Sequence, residues 1–222
     1  MRTKKAMLLG VIVLLMVLLG ACAAPAPTAP VTVVFADENL EAAIRDALGK
    51  PAGEAITPAE MARLTALTFT NVLWGFKGLP GVAGYTKLSG IEYCTNLTWL
   101  DLTNSQTNDI SPLASLTNLT VLNLHDNPIS DISPLASLTN LTWLSVRNNQ
   151  ISDISPLASL TNLTWLSLRN NQISDISPLV ENSGLGEGDY VLLKYNNLDL
   201  SEGSEDMENI RQLEGRGVLV HY

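Results

Sequence analysis

The sequence predicts an α/β solenoid in which each coil adds one strand to a parallel sheet. Three observations carry this prediction: leucines that recur every 22 residues, a strand-like alternation at the start of each period, and a Ser-Pro turn near its end. The period is read from Leu97, Leu119, Leu141 and Leu163. One such repeat cannot bury its own leucines, whereas stacked repeats share a continuous core.

Each period follows the pattern LxxLxLxxxxIxDISPL with small variations, and segments 138–159 and 160–181 differ at only three positions. Within the pattern, Leu166 and Leu168 alternate as in a strand, and Ser177-Pro178 suits the start of a short helical turn. The pattern resembles the leucine-rich repeat, specifically the 22-residue type of the bacterial internalin family. The predicted fold is therefore a right-handed leucine-rich-repeat solenoid. Its parallel sheet lies on the concave face, 3-10 helices or turns lie on the convex side, a helical cap precedes the repeats, and a helix and a strand cap their end.

The N-terminal residues predict export rather than fold. A basic start, an uncharged apolar run over 6–21 and small residues before Cys22 match a secretory signal peptide over 1–21, and the run is short for a membrane span. Residues 19–22 (LGAC) resemble the lipobox of bacterial lipoproteins, which implies lipidation at Cys22 and a location at the cell envelope; an ordinary signal peptide is the alternative. The Pro/Ala-rich segment 22–31 predicts an extended tether between a membrane anchor and a folded domain.

A helical N-terminal cap is predicted over 32–63. Leu40, Ile44 and Leu48 share one helix face with Asp37 near the start, and Thr57 begins a second short helix with a capping box. A divergent first repeat follows over 64–96. It contains an inserted Gly-rich loop, 71–87, that carries Trp74, Phe76 and Tyr85 and that either packs over the cap or has a function of its own.

Four 22-residue repeats are predicted over 97–184, followed by a degenerate last repeat and a C-terminal cap over 185–222. The cap is expected to contain a strand near Val191, a helix capped by Ser204 and stopped at Gly215, and a final strand. Asparagines recur after the strands, where their amides can satisfy backbone groups of the turns: Asn127, Asn149 and Asn171. Ser105 holds this position in the first clean repeat, which should make that coil the least regular.

Alternation along each strand places three rows of side chains on the concave face. The first row is Trp99, Val121, Trp143, Trp165 and Tyr190. The second is Asp101, Asn123, Ser145, Ser167 and Leu192. The third is Thr103, His125, Arg147, Arg169 and Lys194. An exposed aromatic row beside a basic row is typical of an interaction surface, because Trp, Tyr and Arg dominate interface hot spots.

The predicted ligand-binding residues are therefore Trp99, Trp143, Trp165, Tyr190, His125, Arg147, Arg169 and Lys194. The expected partner is a protein, with a glycan as the other option, and the lipid would attach the chain to a membrane. Adhesion is what the resemblance to internalins implies. The alternative is an envelope spacer without a specific ligand, in which the Trp residues only stabilise one another and were copied by duplication.

Other functions find little support in the sequence. Without the three cations of the signal peptide, ten Lys and Arg stand against 22 Asp and Glu, a net charge of −12 that disfavours nucleic acid as a partner. No cofactor, metal or catalytic residue is predicted, because His125-Asp126 lacks a placed nucleophile. Cys94 takes the place of repeat leucines and is expected in the core. The convex row Asp109, Asp131, Asp153 and Asp175 is expected to be a solvated edge.

Overall fold

The computed structural model describes residues 31–68 and 86–222. The predicted signal peptide, Cys22 and the tether up to residue 30 lie outside the described residues. So do residues 69–85 of the divergent repeat, which include Trp74, Phe76 and Tyr85. Within the described ranges, no helix is long and apolar enough to cross a membrane.

Two helices precede the sheet, α1 (Glu38–Leu48) and α2 (Pro58–Met61). The Asp37 carboxylate accepts hydrogen bonds from the first backbone N–H groups of α1, and α1 buries Leu40 and Ile44. Thr57 and Glu60 form the predicted capping box at α2. Hydrogen bonds from Lys50 and Thr57 lower the pKa of Glu60 to about 2, so this carboxylate is ionised at neutral pH.

Seven parallel strands form one sheet in the described part of the chain, and their spatial order is their order in the sequence. They are β1 (Ala66–Thr68), β2 (Trp99–Asp101), β3 (Val121–Asn123), β4 (Trp143–Ser145), β5 (Trp165–Ser167), β6 (Tyr190–Leu192) and β7 (Leu219–His221). The predicted solenoid is confirmed: each coil places its central strand residue in a continuous core. These residues are buried: Leu67, Leu100, Leu122, Leu144, Leu166 and Val191.

The return path of each coil contains one short helix. The 3-10 helices are η1 (Ile91–Tyr93), η2 (Ser111–Ser115), η3 (Ser133–Ser137) and η4 (Ser155–Ser159), followed by the α-helix α3 (Ser177–Glu181). The predicted Ser-Pro pair starts η2, η3, η4 and α3. Just before each of these helices, a carboxylate of the convex Asp row accepts the backbone N–H of the helix's first Ser at 2.8–2.9 Å. The Asp row therefore fixes the start of each helix.

Asparagine side chains tie each coil to the next, as predicted. The amide of Asn127 donates to the carbonyls of Leu102 and Leu124, and its oxygen accepts the N–H groups of Ser105 and Thr107. Asn149, Asn171 and Asn196 repeat this arrangement in the following coils. These amides satisfy backbone groups that would otherwise be buried without a partner.

The first clean coil is the least regular, also as predicted. Ser105 is fully buried there, and its hydroxyl has no hydrogen-bond partner in the described structure. Two residues of this coil, Asn104 and Gln106, adopt a positive φ, which is 59° at Gln106. Each coil between Leu119 and Asn182 has only one non-glycine residue with a positive φ.

The C-terminal cap consists of helix α4 (Glu205–Gly215), which precedes strand β7. Ser204 caps α4 through the N–H of Met207, as expected. The helix ends at Gly215, as predicted, but this glycine does not adopt the left-handed conformation typical of a stop. Gly215 is the last helical residue and Arg216 keeps a helical φ and ψ, while the left-handed turn falls at Gly217 with a φ of 91°. Beyond that turn, β7 completes the sheet beside β6.

Candidate functional site

The first row of the concave face lies in register across the sheet. Trp99 pairs with Val121, Val121 with Trp143, Trp143 with Trp165, and Trp165 with Tyr190. The rings of Trp143 and Trp165 stack with centroids 4.4 Å apart and an interplanar angle of 3°. Adjacent strands lie about 4.8 Å apart, so two parallel rings on neighbouring strands are close enough to stack in contact.

The aromatic row is less exposed than the sequence suggests. Trp99, Trp143 and Trp165 are half-buried, so the prediction of an exposed row is wrong for these three indoles. Tyr190 is 43% exposed, and its neighbour Leu219 extends the row with 44% exposure. The exposed apolar surface of this row therefore lies toward its C-terminal end.

Two residues of the second row, Ser145 and Ser167, are buried. Both lie on the concave side, as their strand positions require, although neighbouring side chains leave them almost no contact with solvent. These small side chains lie between a row of Trp and a row of Arg, whose larger side chains shield them. The Ser167 hydroxyl has no hydrogen-bond partner in the described part of the chain.

The Arg and Lys side chains of the third row have no ion-pair partner among the described residues, although Arg147 is close enough to Asp126 to lower the pKa of that carboxyl. In the described ranges, Arg147, Arg169 and Lys194 form no ion pair, whereas Arg45, Lys50 and Arg211 each have a carboxylate partner. Arg147 and Lys194 are exposed and Arg169 is half-buried. Three of the ten cations beyond the signal peptide therefore stand on three successive strands without a carboxylate partner.

His125 is the fourth member of this basic row and contacts a carboxylate. Its Nδ1 lies 2.8 Å from Oδ2 of Asp126, and Asn148 donates a hydrogen bond to the other carboxylate oxygen. Burial raises the pKa of Asp126, but the hydrogen bonds from Asn148 and His125 and the positive charge of His125 and Arg147 outweigh that effect and lower it. Asp126 is therefore an ionised carboxylate at the end of the row opposite Lys194.

A further row, which sequence reasoning missed, borders the basic one. Its members all adopt left-handed backbone conformations: Asn104, Asp126, Asn148, Asn170 and Tyr195. Asn170 donates to Asn148, and Asn148 to Asp126, so the amides form a chain along the edge of the face. The recurrence of Asn or Asp before the scaffold asparagine was the signal in the sequence, because these two residue types tolerate a positive φ best among non-glycine residues.

Tyr195 is the exception in this row. Its φ is 65°, a conformation that is uncommon for a bulky residue, and its side chain is 75% exposed. It follows Lys194 directly and lies in the same coil as Tyr190. The C-terminal end of the concave face thus carries two exposed phenols beside an unpaired cation.

Other chemistry has little support among the described residues. In residues 31–68 and 86–222, no group of three or more His, Cys, Asp or Glu side chains is placed to hold a metal ion. Cys94 is buried in the core, as predicted, and burial raises the pKa of its thiol to about 12. A thiol with so high a pKa is a poor nucleophile at neutral pH.

Comparisons with known proteins agree with this architecture. A family model described as leucine-rich repeats (two copies) matches residues 95–137 and 139–181. An internalin (InlF) from Listeria monocytogenes is 32% identical over 88% of the chain, with a TM-score of 0.69, and the chain spans 58% of that protein's length.

Two further internalins of Listeria monocytogenes also match. Internalin C2 is 31% identical over 87% of this chain and 100% of its own, with a TM-score of 0.45. The functional domain of InlJ is 20% identical over 88% of this chain and 48% of its own, with a TM-score of 0.52. The comparison with curated protein sequences found no match.

Proposed function

Because this chain is a leucine-rich-repeat protein of the internalin type, we propose that it is an exported, non-catalytic binding module whose protein ligand lies on the concave face. One observation carries the proposal: half-buried aromatic side chains and unpaired cations lie in register on one rigid parallel sheet. Such a surface costs little conformational entropy to engage, because its aromatic side chains are already held by their neighbours.

The residue types on this face favour a protein as the ligand. Trp, Tyr and Arg are enriched among the residues that contribute most to binding free energy at protein interfaces. The Trp143–Trp165 stack covers one ring face of each indole, which leaves fewer free faces for stacking against a sugar ring. A protein segment can instead contact ring edges, the basic row and backbone groups together.

The test is a double substitution, Trp143→Ala with Trp165→Ala, compared with Tyr93→Ala. Tyr93 is 38% exposed on η1, away from the concave rows, and it serves as the matched control. A partner captured from envelope or host-cell extracts is purified, and its affinity for each variant is measured by biolayer interferometry. We expect the double variant to weaken binding about tenfold or more and the control to leave it unchanged.

Circular dichroism must show that the double variant is folded, since the stack also contributes stability. Unchanged affinity in a folded double variant would refute the concave-face proposal. The second candidate is a spacer without a specific ligand, supported by the near identity of segments 138–159 and 160–181, and it predicts that the unsubstituted domain captures no partner.

The proposal also includes a lipid anchor at Cys22 and an extended tether over 22–31. It rests on the lipobox-like residues 19–22 and on the Pro/Ala composition that follows. Mass spectrometry of the mature N-terminus should show an acylated Cys22, and Cys22→Ala should release the protein from the membrane fraction. An unacylated mature N-terminus would contradict the anchor and leave the binding proposal intact.

A further inference from the structure

The Arg and Lys side chains and the exposed phenols of the concave face belong to the coils of strands β4 to β6. Arg147 and Arg169 follow β4 and β5, Lys194 follows β6, and Tyr190 and Tyr195 lie in the same coil as Lys194. At the other end of the face, Asp101 is the last residue of β2, and Asp126 follows β3. The sign of the charge on the face therefore changes along the solenoid axis. Carboxylates lie toward its N-terminal end, and cations and phenols lie toward its C-terminal end.

The three cations are distinguished by their clustering on successive coils of a strongly acidic domain. The lack of an ion pair alone does not distinguish them, because in the described ranges it is shared by Arg63, Lys87 and Arg216. Beyond the signal peptide, carboxylates outnumber cations 22 to ten, yet no carboxylate in the described ranges lies within ion-pair distance of Arg147, Arg169 or Lys194. Like charges on neighbouring strands repel one another. An acidic ligand would relieve this repulsion, and a basic one would increase it.

Tyr195 supplies a second, independent observation at the same place. The equivalent positions of four earlier coils are occupied by Asn or Asp, which tolerate the left-handed conformation that all five residues adopt. Tyr195 pays a strain cost there and is 75% exposed, so it gains little burial in return. Strained residues of this kind are often kept for a contact with a ligand.

We propose that the ligand of the concave face is an acidic protein segment, whose carboxylates lie against Arg147, Arg169 and Lys194 and whose apolar side chains lie against Tyr190 and Tyr195. This inference rests on the proposed binding role and names the chemistry of the partner. The segment lies over β4 to β6, away from Asp101, and at Arg147 it borders Asp126. Its carboxylates bind the two guanidinium groups through charge-assisted hydrogen bonds.

The experiment uses the folded domain as bait for a random peptide display library, followed by fluorescence anisotropy with the most enriched peptide and with a copy in which each Asp and Glu is replaced by Asn and Gln. We expect enriched peptides to carry net negative charge, and the neutral copy to bind about tenfold more weakly or worse. Affinity for the acidic peptide should fall as salt is raised.

Three variants locate the site. Arg147→Glu with Arg169→Glu should weaken the binding of the acidic peptide about tenfold or more. Arg211→Glu, an exposed charge reversal on α4, should leave that binding unchanged. Tyr195→Asn restores the residue type of the other coils. It should raise the thermal midpoint of the domain and still weaken the binding of the peptide. A tyrosine that does not contact the ligand would not give this combination.

The outcomes separate this inference from the proposed function. Enriched peptides that are neutral or basic and whose binding is lost in the Trp143→Ala, Trp165→Ala variant would overturn the acidic partner and support the binding role. Acidic peptides that are insensitive to the Arg147 and Arg169 reversals would also overturn it. Binding to a glycan array with no peptide enriched would overturn both proposals.

Discussion

The coil that begins at Leu97 and the coils after it share the strand and the following short helix but differ in the turn between them, at Ser105, Gln106 and Thr107. In the later coils, an asparagine amide joins two neighbouring turns through three to five hydrogen bonds. In the first, Ser105 occupies that position with an unpartnered hydroxyl, and the leucine period upstream of it is 33 residues instead of 22. An asparagine is therefore present where two regular coils are neighbours. It is replaced by Ser105 where the upstream coil departs from the 22-residue period.

The sharpest test of this comparison is Asn127→Ala. The substitution leaves the N–H groups of Ser105 and Thr107 and the carbonyl of Leu102 without this partner in a buried turn. The Leu124 carbonyl, in contrast, keeps its hydrogen bond from Asn149. We expect the free energy of unfolding to fall by about 3 kcal/mol, because each orphaned backbone group costs on the order of 1 kcal/mol. Urea unfolding followed by circular dichroism measures the loss. A loss below about 1 kcal/mol would mean that the amide ladder is dispensable.

The same position in the first coil should respond with the opposite sign. Ser105→Ala removes a buried hydroxyl that has no partner in the described structure and leaves the backbone bonds to Asn127 in place. The variant should be more stable by about 1 kcal/mol, since a buried polar group without a hydrogen bond is unfavourable. The urea midpoint should rise without a change in the slope of the transition. A clear loss of stability would show that the hydroxyl has a role in this turn.

Much of this architecture follows from the sequence, because the repeat fixes both the period and the register. Once Leu144 and Leu166 are assigned to the core, Trp143 must stand beside Trp165, and the structure confirms that pairing. What the repeat does not reveal is how neighbouring side chains share space. Stacked rings become half-buried, and the serine between Trp165 and Arg169 loses its solvent contact, because these effects depend on distances between coils.

Tyr195 shows a second limit of the sequence. The alignment of Lys194 with Arg169 places Tyr195 at the position of Asn170, but a tyrosine gives no sign of the left-handed conformation that Asn or Asp suggests in the other coils. The end of α4 shows a similar limit: the helix ends at Gly215 as predicted, but the left-handed conformation falls on Gly217.

The aromatic row extends the comparison to the outer surface. Trp143 and Trp165 are in contact, whereas Val121 separates Trp99 from Trp143. A double-mutant cycle on Trp143→Ala and Trp165→Ala should give a coupling of about 1 kcal/mol in unfolding free energy. The matched cycle on Trp99 and Trp143 should give a coupling near zero, because residues without shared contacts behave additively. Equal couplings in the two cycles would mean that the row acts as one unit despite Val121.

The smallest effect is expected where the first coil and the later coils are alike. Hydrogen bonds from Ser111 hold the pKa of Asp109 below its ordinary value, and those from Ser155 do the same for Asp153. A carboxyl whose pKa is lower in the folded chain stabilises the fold above its unfolded pKa, and this contribution is lost as the pH falls through the folded-state pKa. Stability should therefore decline as the pH drops below about 4.

Asp109→Asn and Asp153→Asn should each reduce that acid dependence, and by similar amounts, while Glu202→Gln supplies the control for removing an exposed charge. Each reduction is small because both carboxylates are exposed to solvent. Thermal midpoints measured from neutral to acid pH report it. If Asp109→Asn had a much smaller effect than Asp153→Asn, the irregularity at Ser105 would extend to the helix start of its coil. Equal effects would confine it to the turn between strand and helix, where the asparagine is missing.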